Sequence, residues 1–555
     1  GAGAGAARFR RLRVEDWPDY PVRGLMLDAG RRFLPKAALL REVVDGMALV
    51  RMNVLQLHLS DFCRFAVDLP GFPALNRSLT GLLEGQYSVQ DVRDIVAYAH
   101  DRAILVLPEV DLPGHAGGLL PLEDQGLSFC RPPPGSRPRP EEAAKVWDDP
   151  GGQSRAVLGR LVAETSRAFA FPGGAGAAAG GLRWFHVGGD EANPQGHCSK
   201  ENIVGLEGYL IKEVVNKQLG MTAVAWEELR LKLPDEEGFR AAGGTRETIV
   251  VPWRLGTARR IVRRGHRAIA ANMENHYLDF GYASHPASSF WYDVAAPRDG
   301  ATEPLGDVGV LQEESERPTC SNPGWEKVPG RYLGGLLGPE AVTFEEAQAI
   351  CARAGAPCAG ITCRRRGGAL DEEDPSSAEG GGLRCEARRG DPLLASSPRS
   401  EDSWLRRCPE DEDRLAEGLL GGLSAMWTDR YCYTYQCGAA DPSWGEKTGR
   451  LPNAGLMFLR GLDASFALSL SGMVWPRAAV SAAALWHFDP AVRRRELEGL
   501  AAWIAGVLRA QGVASCPPSC TCDELTACGR PYPVLFPPRR PRRRPPPRRR
   551  RRRRR

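Results

Sequence analysis

Short apolar runs alternate with longer amphipathic stretches along the first half of the chain. This rhythm is typical of β/α units, in which a helix follows each buried strand and packs against the sheet. The predicted strands span Gly24–Asp28, Val54–Ser60, Ile104–Val110, Arg183–Asp190, Thr222–Leu229, Thr248–Arg254, His266–Met273 and Leu423–Thr428. Eight such strands with helices between them predict an α/β fold, a closed (β/α)8 TIM barrel, whose chemistry lies at the carboxyl ends of the strands.

The rhythm stops between strands 7 and 8, where a Cys-rich insertion is predicted. Inside it, a helix predicted over Thr343–Cys351 is followed by Cys358 and Cys363. This pattern faintly resembles PAN/apple-like binding modules, and a disulfide-stapled loop without activity of its own is the alternative. We predict five divisions of the chain. They are a lead-in at 1–20, the barrel through strand 7 at 21–310, the insert at 311–418, strand 8 with the closing helices at 419–512, and a terminal Cys-rich segment with its tail at 513–555.

The 15 cysteines are placed in local clusters, which are typical of disulfides and of an oxidising compartment. We therefore predict a secreted or lysosomal/vacuolar protein, and the sequon Asn76-Arg77-Ser78 is compatible with that route. Zinc is the alternative for Cys516, Cys520, Cys522 and Cys528, but their spacing matches no common zinc pattern. No apolar run reaches the roughly 18 residues of a membrane-spanning helix, so no span is expected.

The formal net charge of +5 comes from the end of the chain. Residues 539–555 contain only arginine and proline, and without their 13 arginines the formal charge is −8. A basic nucleic-acid-binding body is therefore not indicated. Pro-rich runs of like charge repel themselves and stay extended, so we expect a disordered tail. Binding of an anionic polymer through that tail is the alternative.

Polar clusters follow directly after the predicted strands, where a barrel places its chemistry. After the fourth strand, Gly188 and Gly189 let the backbone pass close to a ligand, and two carboxylates, Asp190 and Glu191, then emerge. Neighbouring residues of a strand point to opposite sides, so these two carboxylates cannot face a substrate in the same way. We therefore predict different roles for them.

Four segments at the ends of predicted strands carry further polar residues: RGLMLD at 23–28, HLSD at 58–61, PEVDLPGH at 108–115 and HVGGDE at 186–191. In this order, the four segments resemble those of glycoside hydrolase family 20, the β-N-acetylhexosaminidases. The resemblance covers about residues 17–290 and 420–490. It implies hydrolysis of terminal β-linked GlcNAc or GalNAc, from glycoconjugates or chitooligosaccharides, with retention. It also implies that the substrate's own acetamido group is the nucleophile, because this family is an exception to the usual pair of carboxylates.

The resemblance implies catalytic roles for five residues. Glu191 is expected to protonate the leaving oxygen and then to activate water, with a pKa raised by burial and by its neighbour. Asp190 would accept the acetamide N–H, and Tyr277 would donate to the acetamide oxygen. His115 and Asp61 would form a relay behind Glu191.

Six further residues are expected to bind the sugar. Tryptophans would wall the acetamide methyl group and stack on the ring, an arginine would hold O3 and O4, and an acid would receive O4 and O6. These residues are Trp226, Trp253 and Trp427, Arg23 and Asp429, with Asp279 following the catalytic tyrosine.

The resemblance implies no metal and no other cofactor. The expected partner is a terminal N-acetylhexosamine glycan, with no nucleic acid, and a homodimer stays open. A catalytically weakened barrel that serves as a glycan-binding protein is the alternative to the enzyme, although a non-catalytic lectin needs no general acid.

Overall fold

The protein's structure is a computed structural model that describes residues 15–31, 36–61, 64–77, 86–130, 144–171, 183–194, 196–228, 230, 236–254, 257–279, 287–291, 324–328, 331–339, 343–354, 358–365, 383–389, 395–396, 401–407, 417–427, 474–488, 492, 494–513 and 515. The predicted sugar-binding residue Asp429, the four C-terminal cysteines and the Arg/Pro tail lie outside the described residues.

Eight parallel strands close into a barrel, which confirms the predicted fold. They are β1 Val22–Asp28, β2 Val54–His58, β3 Leu105–Glu109, β4 Trp184–His186, β5 Thr222–Trp226, β6 Ile249–Val251, β7 Arg267–Ala270 and β8 Leu419–Met426. Each strand pairs with the next along the chain, and β8 also pairs with β1, so the ring is complete.

The alternation of side chains along β1 shows how the barrel core is built. Met26 packs into the cluster inside the barrel, whereas Leu25 and Leu27 belong to the cluster between the strands and the helices. This is the two-residue period of a strand that is buried on both faces. The carboxyl ends of the strands then carry the polar loops.

Helices cover the outside of the barrel. The helix Val89–His100, which follows β2, is capped by Ser88, whose side chain accepts the N–H of Asp91 while Asp91 accepts the N–H of Ser88. This capping box satisfies two otherwise unpaired donors. The helical segments around the barrel are Lys36–Ala38, Leu39–Val44, Asp45–Leu49, Pro73–Arg77, Val89–His100, Gly117–Gln125, Gln153–Ala168, Lys200–Tyr209, Leu210–Gln218, Glu236–Ala241, Thr257–Arg263, Met273–His276, Ala287–Phe290, Arg477–Trp486 and Arg494–Ala510.

The described residues between β7 and β8 include a small antiparallel sheet and the helix Phe344–Ala354. The four paired strands, in spatial order, are Gly324–Val328, Asp402–Arg407, Gly360–Arg365 and Leu383–Arg388, and a separate pair joins Arg331–Tyr332 to Ala395–Ser396. Disulfides join Cys351 to Cys358 and Cys363 to Cys385. Within the described parts of the chain, no helix is both long enough and apolar enough to cross a bilayer.

Candidate active site

Loops that follow neighbouring strands bring four of the predicted catalytic residues together. Asp61 follows β2, His115 follows β3, and Asp190 and Glu191 follow β4. The imidazole of His115 lies at their centre: its Nδ1 is 3.3 Å from Asp61 Oδ1, and its Nε2 is 3.6 Å from both Asp190 Oδ2 and Glu191 Oε2. Parallel strands end at the same rim of a barrel, which is why residues far apart in sequence meet here.

The backbone after β4 adopts conformations that only particular residues tolerate. Gly188 and Gly189 have φ of 75° and 104°, and Glu191 itself has φ of 47°. A positive φ is uncommon for a residue with a side chain and is held only where the surroundings determine it. Here the Asn193 N–H donates to the Glu191 carbonyl at 2.8 Å, and Lys145 Nζ donates to the Asn193 carbonyl at 2.9 Å. The strand therefore ends at His186, earlier than predicted.

His115 is held in its charged form by the acids around it. Burial alone would lower the pKa of His115, but the carboxylates of Asp61 and Asp190 outweigh it and raise that pKa well above its usual value. An imidazolium between carboxylates can donate to both sides. This arrangement is compatible with the proton relay predicted for His115 and Asp61, which stays a prediction.

The predicted rise in the pKa of Glu191 is wrong for the protein without substrate. The hydrogen bond from His115 lowers the pKa of Glu191, and although burial opposes this, the positive charges of His115, Arg31 and Arg254 add to the lowering. The Glu191 side chain is 53% exposed, so desolvation is incomplete. The sequence shows two adjacent acids, but the cations that face Glu191 come from other strands.

Arg31 is a functional candidate that the sequence analysis missed. Its guanidinium lies 2.8 Å from Asp28 Oδ2 and 2.9 Å from Asp61 Oδ2, and it stacks over the ring of Trp427 at 5.1 Å. Burial would raise the pKa of Asp61, but Arg31 and His115 outweigh it and hold that pKa well below its usual range. Arg31 therefore connects the relay to the aromatic side of the site.

Arg23 does not reach this site, contrary to the prediction. Its side chain donates to the backbone carbonyls of Arg51 and Tyr20 and stacks over Trp486 at 5.0 Å. Arg23 lies near the amino end of β1, and it has the same strand parity as Leu25, which faces the helices. The arginine at the carboxyl end is Arg31, eight residues further on, and the barrel rule itself could have selected it.

Aromatic side chains line the interior beside the relay. The Trp427 ring lies 5.9 Å from Trp226 and 6.0 Å from Tyr277, and all three belong to the cluster inside the barrel, against which Trp253 also packs. The predicted tryptophans and tyrosine are thus brought together. The Trp253 indole is fixed by a hydrogen bond of 2.9 Å to Glu228 Oε1.

Tyr277 and Asp279 follow β7 and are both buried. Burial raises the pKa of Tyr277 well above its usual value, and the negative charges of Asp190 and Asp279 act in the same direction. Tyr277 therefore remains a neutral hydroxyl that can donate a hydrogen bond.

Several of these buried groups have the types and spacing of metal ligands. Among the described residues there are three overlapping groups, and within each group the ligand atoms lie within 4.8 Å of one another. The groups are Asp28, His58 and Asp61; His58, Glu109 and Asp111; and Asp111, His115 and Asp190. The imidazole nitrogens of His58 and His115 already face carboxylates at 2.8 to 3.6 Å. This pairing favours a hydrogen-bonded relay over a metal centre.

Comparisons with known proteins point to one family. The model of glycosyl hydrolase family 20, catalytic domain, matches residues 20–302. Beta-hexosaminidase 1 of Coccidioides posadasii is 27% identical over 308 residues, which cover 52% of this chain and 50% of that protein. The chitooligosaccharidolytic beta-N-acetylglucosaminidase of Bombyx mori is 25% identical over 61% of this chain and 58% of its own length.

The similarity to solved structures concerns the fold. An exo beta-N-acetylglucosaminidase of Vibrio harveyi superposes with a TM-score of 0.51 at 16% identity, over 90% of this chain and 60% of that one. The chain spans about half the length of these curated relatives, including the beta-hexosaminidase of Emericella nidulans.

Proposed function

The chain belongs to glycosyl hydrolase family 20, and from that premise we propose that it is a retaining exo-β-N-acetylhexosaminidase that removes terminal β-linked GlcNAc or GalNAc from glycoconjugates or chitooligosaccharides. One observation carries the proposal: Asp190 and Glu191 share the imidazole of His115 at 3.6 Å beside an aromatic wall. An acid and an orienting carboxylate at one rim are what substrate-assisted hydrolysis requires.

In the first step, the acetamido oxygen of the substrate attacks the anomeric carbon and the glycosidic bond breaks. Glu191 gives its proton to the departing oxygen. Asp190 accepts the acetamide N–H and stabilises the positive charge that develops on the bicyclic oxazolinium, while Tyr277 donates to the acetamide oxygen. Because the nucleophile is part of the substrate, the entropic barrier is low, and effective molarities of oriented groups reach about 10⁵ M or more.

In the second step, water attacks the same carbon from the face that the aglycone left. Glu191 takes the proton of that water, and the acetamide is regenerated with net retention. The bound sugar covers the exposed part of Glu191, and this desolvation raises the pKa of Glu191 in the complex relative to the free protein. Glu191 regains from water the proton that it gave up in the first step, and His115 and Asp61 tune its proton affinity.

The aromatic side chains hold the sugar in this proposal. Trp226, Trp253 and Trp427 wall the acetamide methyl group and exclude competing water. Arg31 takes the role first expected of Arg23, because its donors lie beside Trp427 at the catalytic rim. Asp279 and Asp429 complete the set of sugar-binding candidates.

The terminal N-acetylhexosamine glycan is the proposed partner, and an oxidising compartment, secreted or lysosomal/vacuolar, is the proposed location. The disulfide between Cys130 and Cys198, which ties the loop after β4 to the segment after β3, supports that compartment. The intact pair of Asp190 and Glu191 favours the enzyme over the glycan-binding alternative.

The test is hydrolysis of two nitrophenyl glycosides. Release of nitrophenol from the N-acetyl-β-glucosaminide, but not from the plain β-glucoside, is the expected result. Glu191→Gln should abolish turnover of natural linkages, and Asp190→Asn should lower kcat by on the order of 10²-fold or more. Full turnover by the Glu191→Gln protein would refute the proposal.

A further inference from the structure

A second histidine extends the relay into the barrel interior. His58, at the end of β2, places Nε2 2.8 Å from Asp61 Oδ2 and Nδ1 3.0 Å from Glu109 Oε2. All three side chains are fully buried, and Asp61 in turn faces His115. Acidic and basic groups therefore alternate without interruption from the catalytic rim to Glu109.

Glu109 has a second set of partners on its other side. Its Oε1 accepts the indole N–H of Trp226 at 2.8 Å and lies 3.5 Å from His186 Nδ1, while its Oε2 also accepts from Gln56 Nε2 at 2.8 Å. Burial would raise the pKa of Glu109, but His58 and His186 outweigh it and lower that pKa to about 2. The group is therefore an ionised carboxylate whose two oxygens hold different parts of the site.

The charge of His58 depends on the acids that surround it. Burial alone would lower the pKa of His58, but Glu109 on β3, Asp61 on its own loop and Asp28 on β1 outweigh it and raise that pKa well above its usual value. Asp111 also lies within 4.8 Å of His58, and the edge of the Trp427 ring faces His58 at a centroid distance of 5.0 Å. Among the acids named here, Glu109 is the one that accepts the indole N–H of Trp226.

We propose that Glu109 is a positioning residue that couples the proton relay to the acetamide pocket. One of its oxygens fixes the plane of the Trp226 indole, and the other holds His58 against Asp61. A substitution of Glu109 therefore alters both the orientation of Trp226 and the position of His58 in the relay. The inference rests on the proposed function, because it assigns Trp226 to the acetamide pocket and His115 to the relay.

The burial and the charge of Glu109 favour a role in coupling the relay to the acetamide pocket over a role in packing alone. Removing a carboxylate from water carries a large free-energy cost, and an apolar side chain of similar volume fills space without that cost. Hydrogen bonds in a buried network fix the orientation of its members and polarise one another. Glu109 joins the histidines to a site tryptophan, because its Oε2 lies 3.0 Å from His58 Nδ1 and its Oε1 accepts the indole N–H of Trp226 at 2.8 Å.

Glu109→Gln in the full chain is the primary test, because the amide keeps the size and one acceptor oxygen but removes the charge. We expect affinity for a GlcNAc-thiazoline, a mimic of the bicyclic intermediate, to fall by about tenfold or more, since a hydrogen bond to a charged group is replaced by a neutral one. We also expect the alkaline limb of kcat/KM to move to lower pH by about one unit, because His58 loses the charge that holds its proton. Glu164→Gln, which changes an acid on the outer helix Gln153–Ala168, is the matched control and should alter neither quantity.

A second variant decides the question even if Glu109→Gln fails to fold, as judged by near-ultraviolet circular dichroism. Trp226→Phe keeps an aromatic ring but removes the N–H that Glu109 accepts. The alkaline limb should then move to higher pH, because a carboxylate with one donor fewer holds the His58 proton more tightly. A residue that only lines the pocket would leave the limb in place.

The outcomes separate this inference from the proposed function. Movement of both thiazoline affinity and the pH limb in folded Glu109→Gln, or of the limb in Trp226→Phe, supports the coupling. If either quantity in folded Glu109→Gln, or the limb in Trp226→Phe, stays at its wild-type value, the coupling is wrong. If the wild-type protein neither hydrolyses the N-acetyl-β-glucosaminide nor binds the thiazoline, the proposed function itself fails.

Discussion

A Cβ atom at Gly188 would lie 2.0 Å from Oδ1 of Asp111, the oxygen that accepts the Gly189 N–H at 3.0 Å. The loop that carries Asp190 and Glu191 therefore closes onto Asp111 only because residue 188 has no side chain. Burial and the nearby Asp190 raise the pKa of Asp111 well above its usual value, so this carboxyl is neutral and can donate as well as accept.

Gly188→Ala is expected to lower kcat by about 10²-fold or more, because a displacement of about 1 Å in a catalytic group costs that much. Steady-state kinetics on the nitrophenyl substrate measure the effect. Gly506→Ala is the control, since a Cβ there meets nothing within 4 Å inside the helix Arg494–Ala510. That change should leave kcat unaltered and raise the free energy of unfolding by about 0.5–1 kcal/mol. Wild-type kcat in Gly188→Ala would show that the loop does not need this close approach.

The stability contributed by His115 should depend on pH in one direction. Its pKa is raised in the folded protein, so the stabilisation is fully present below the unfolded value of about 6.5 and is lost as pH rises through the folded value. The difference in free energy of unfolding between wild type and His115→Gln should therefore be larger at about pH 5 than at about pH 10. Denaturant unfolding at both pH values measures it, and a difference that grows with pH would contradict the assignment.

The disulfide between Cys130 and Cys198 closes a loop with a sequence separation of 68 that includes Glu191. Replacing both cysteines by serine should lower the free energy of unfolding by about 2–5 kcal/mol. It should also lower kcat/KM, because Cys198 lies seven residues beyond Glu191 and anchors that loop. The matched control replaces Cys363 and Cys385 in the insert and should leave kcat/KM unchanged. Equal kcat/KM of the two double variants would show that the Cys130–Cys198 disulfide does not position the catalytic loop.

The eightfold repeat of strands was accessible from the sequence because hydrophobic period and strand-end polarity are local signals. Asp190 and Glu191 were selected because they stand at the end of the fourth predicted strand, where a barrel places its chemistry. His115 and Asp61 were assigned through the resemblance of their segments to glycoside hydrolase family 20. The sequence analysis placed Arg23 in the sugar-binding site, but Arg23 has the same strand parity as Leu25, and this parity directs both side chains toward the helices. Counting that parity, or reading on to Arg31, would have corrected it.

Other features of the site cannot be predicted from residues that are adjacent in the sequence. The pKa of Glu191 is set by His115, Arg31 and Arg254, which come from other strands, so the adjacency of two acids suggested the opposite direction. The link from His58 through Glu109 to Trp226 joins three strands, and no spacing along the chain reveals it. Such relationships follow from barrel closure rather than from sequence pattern.

The participation of the acetamido group is tested most directly by hydrolysis of a series of aryl β-glycosides whose N-acetyl group carries zero, one, two or three fluorine atoms. Fluorine withdraws electron density from the attacking oxygen but leaves the leaving group unchanged. We expect kcat/KM to fall steeply and steadily with each fluorine. A rate that is independent of fluorination would contradict it, because the nucleophile would then have to belong to the protein or to water.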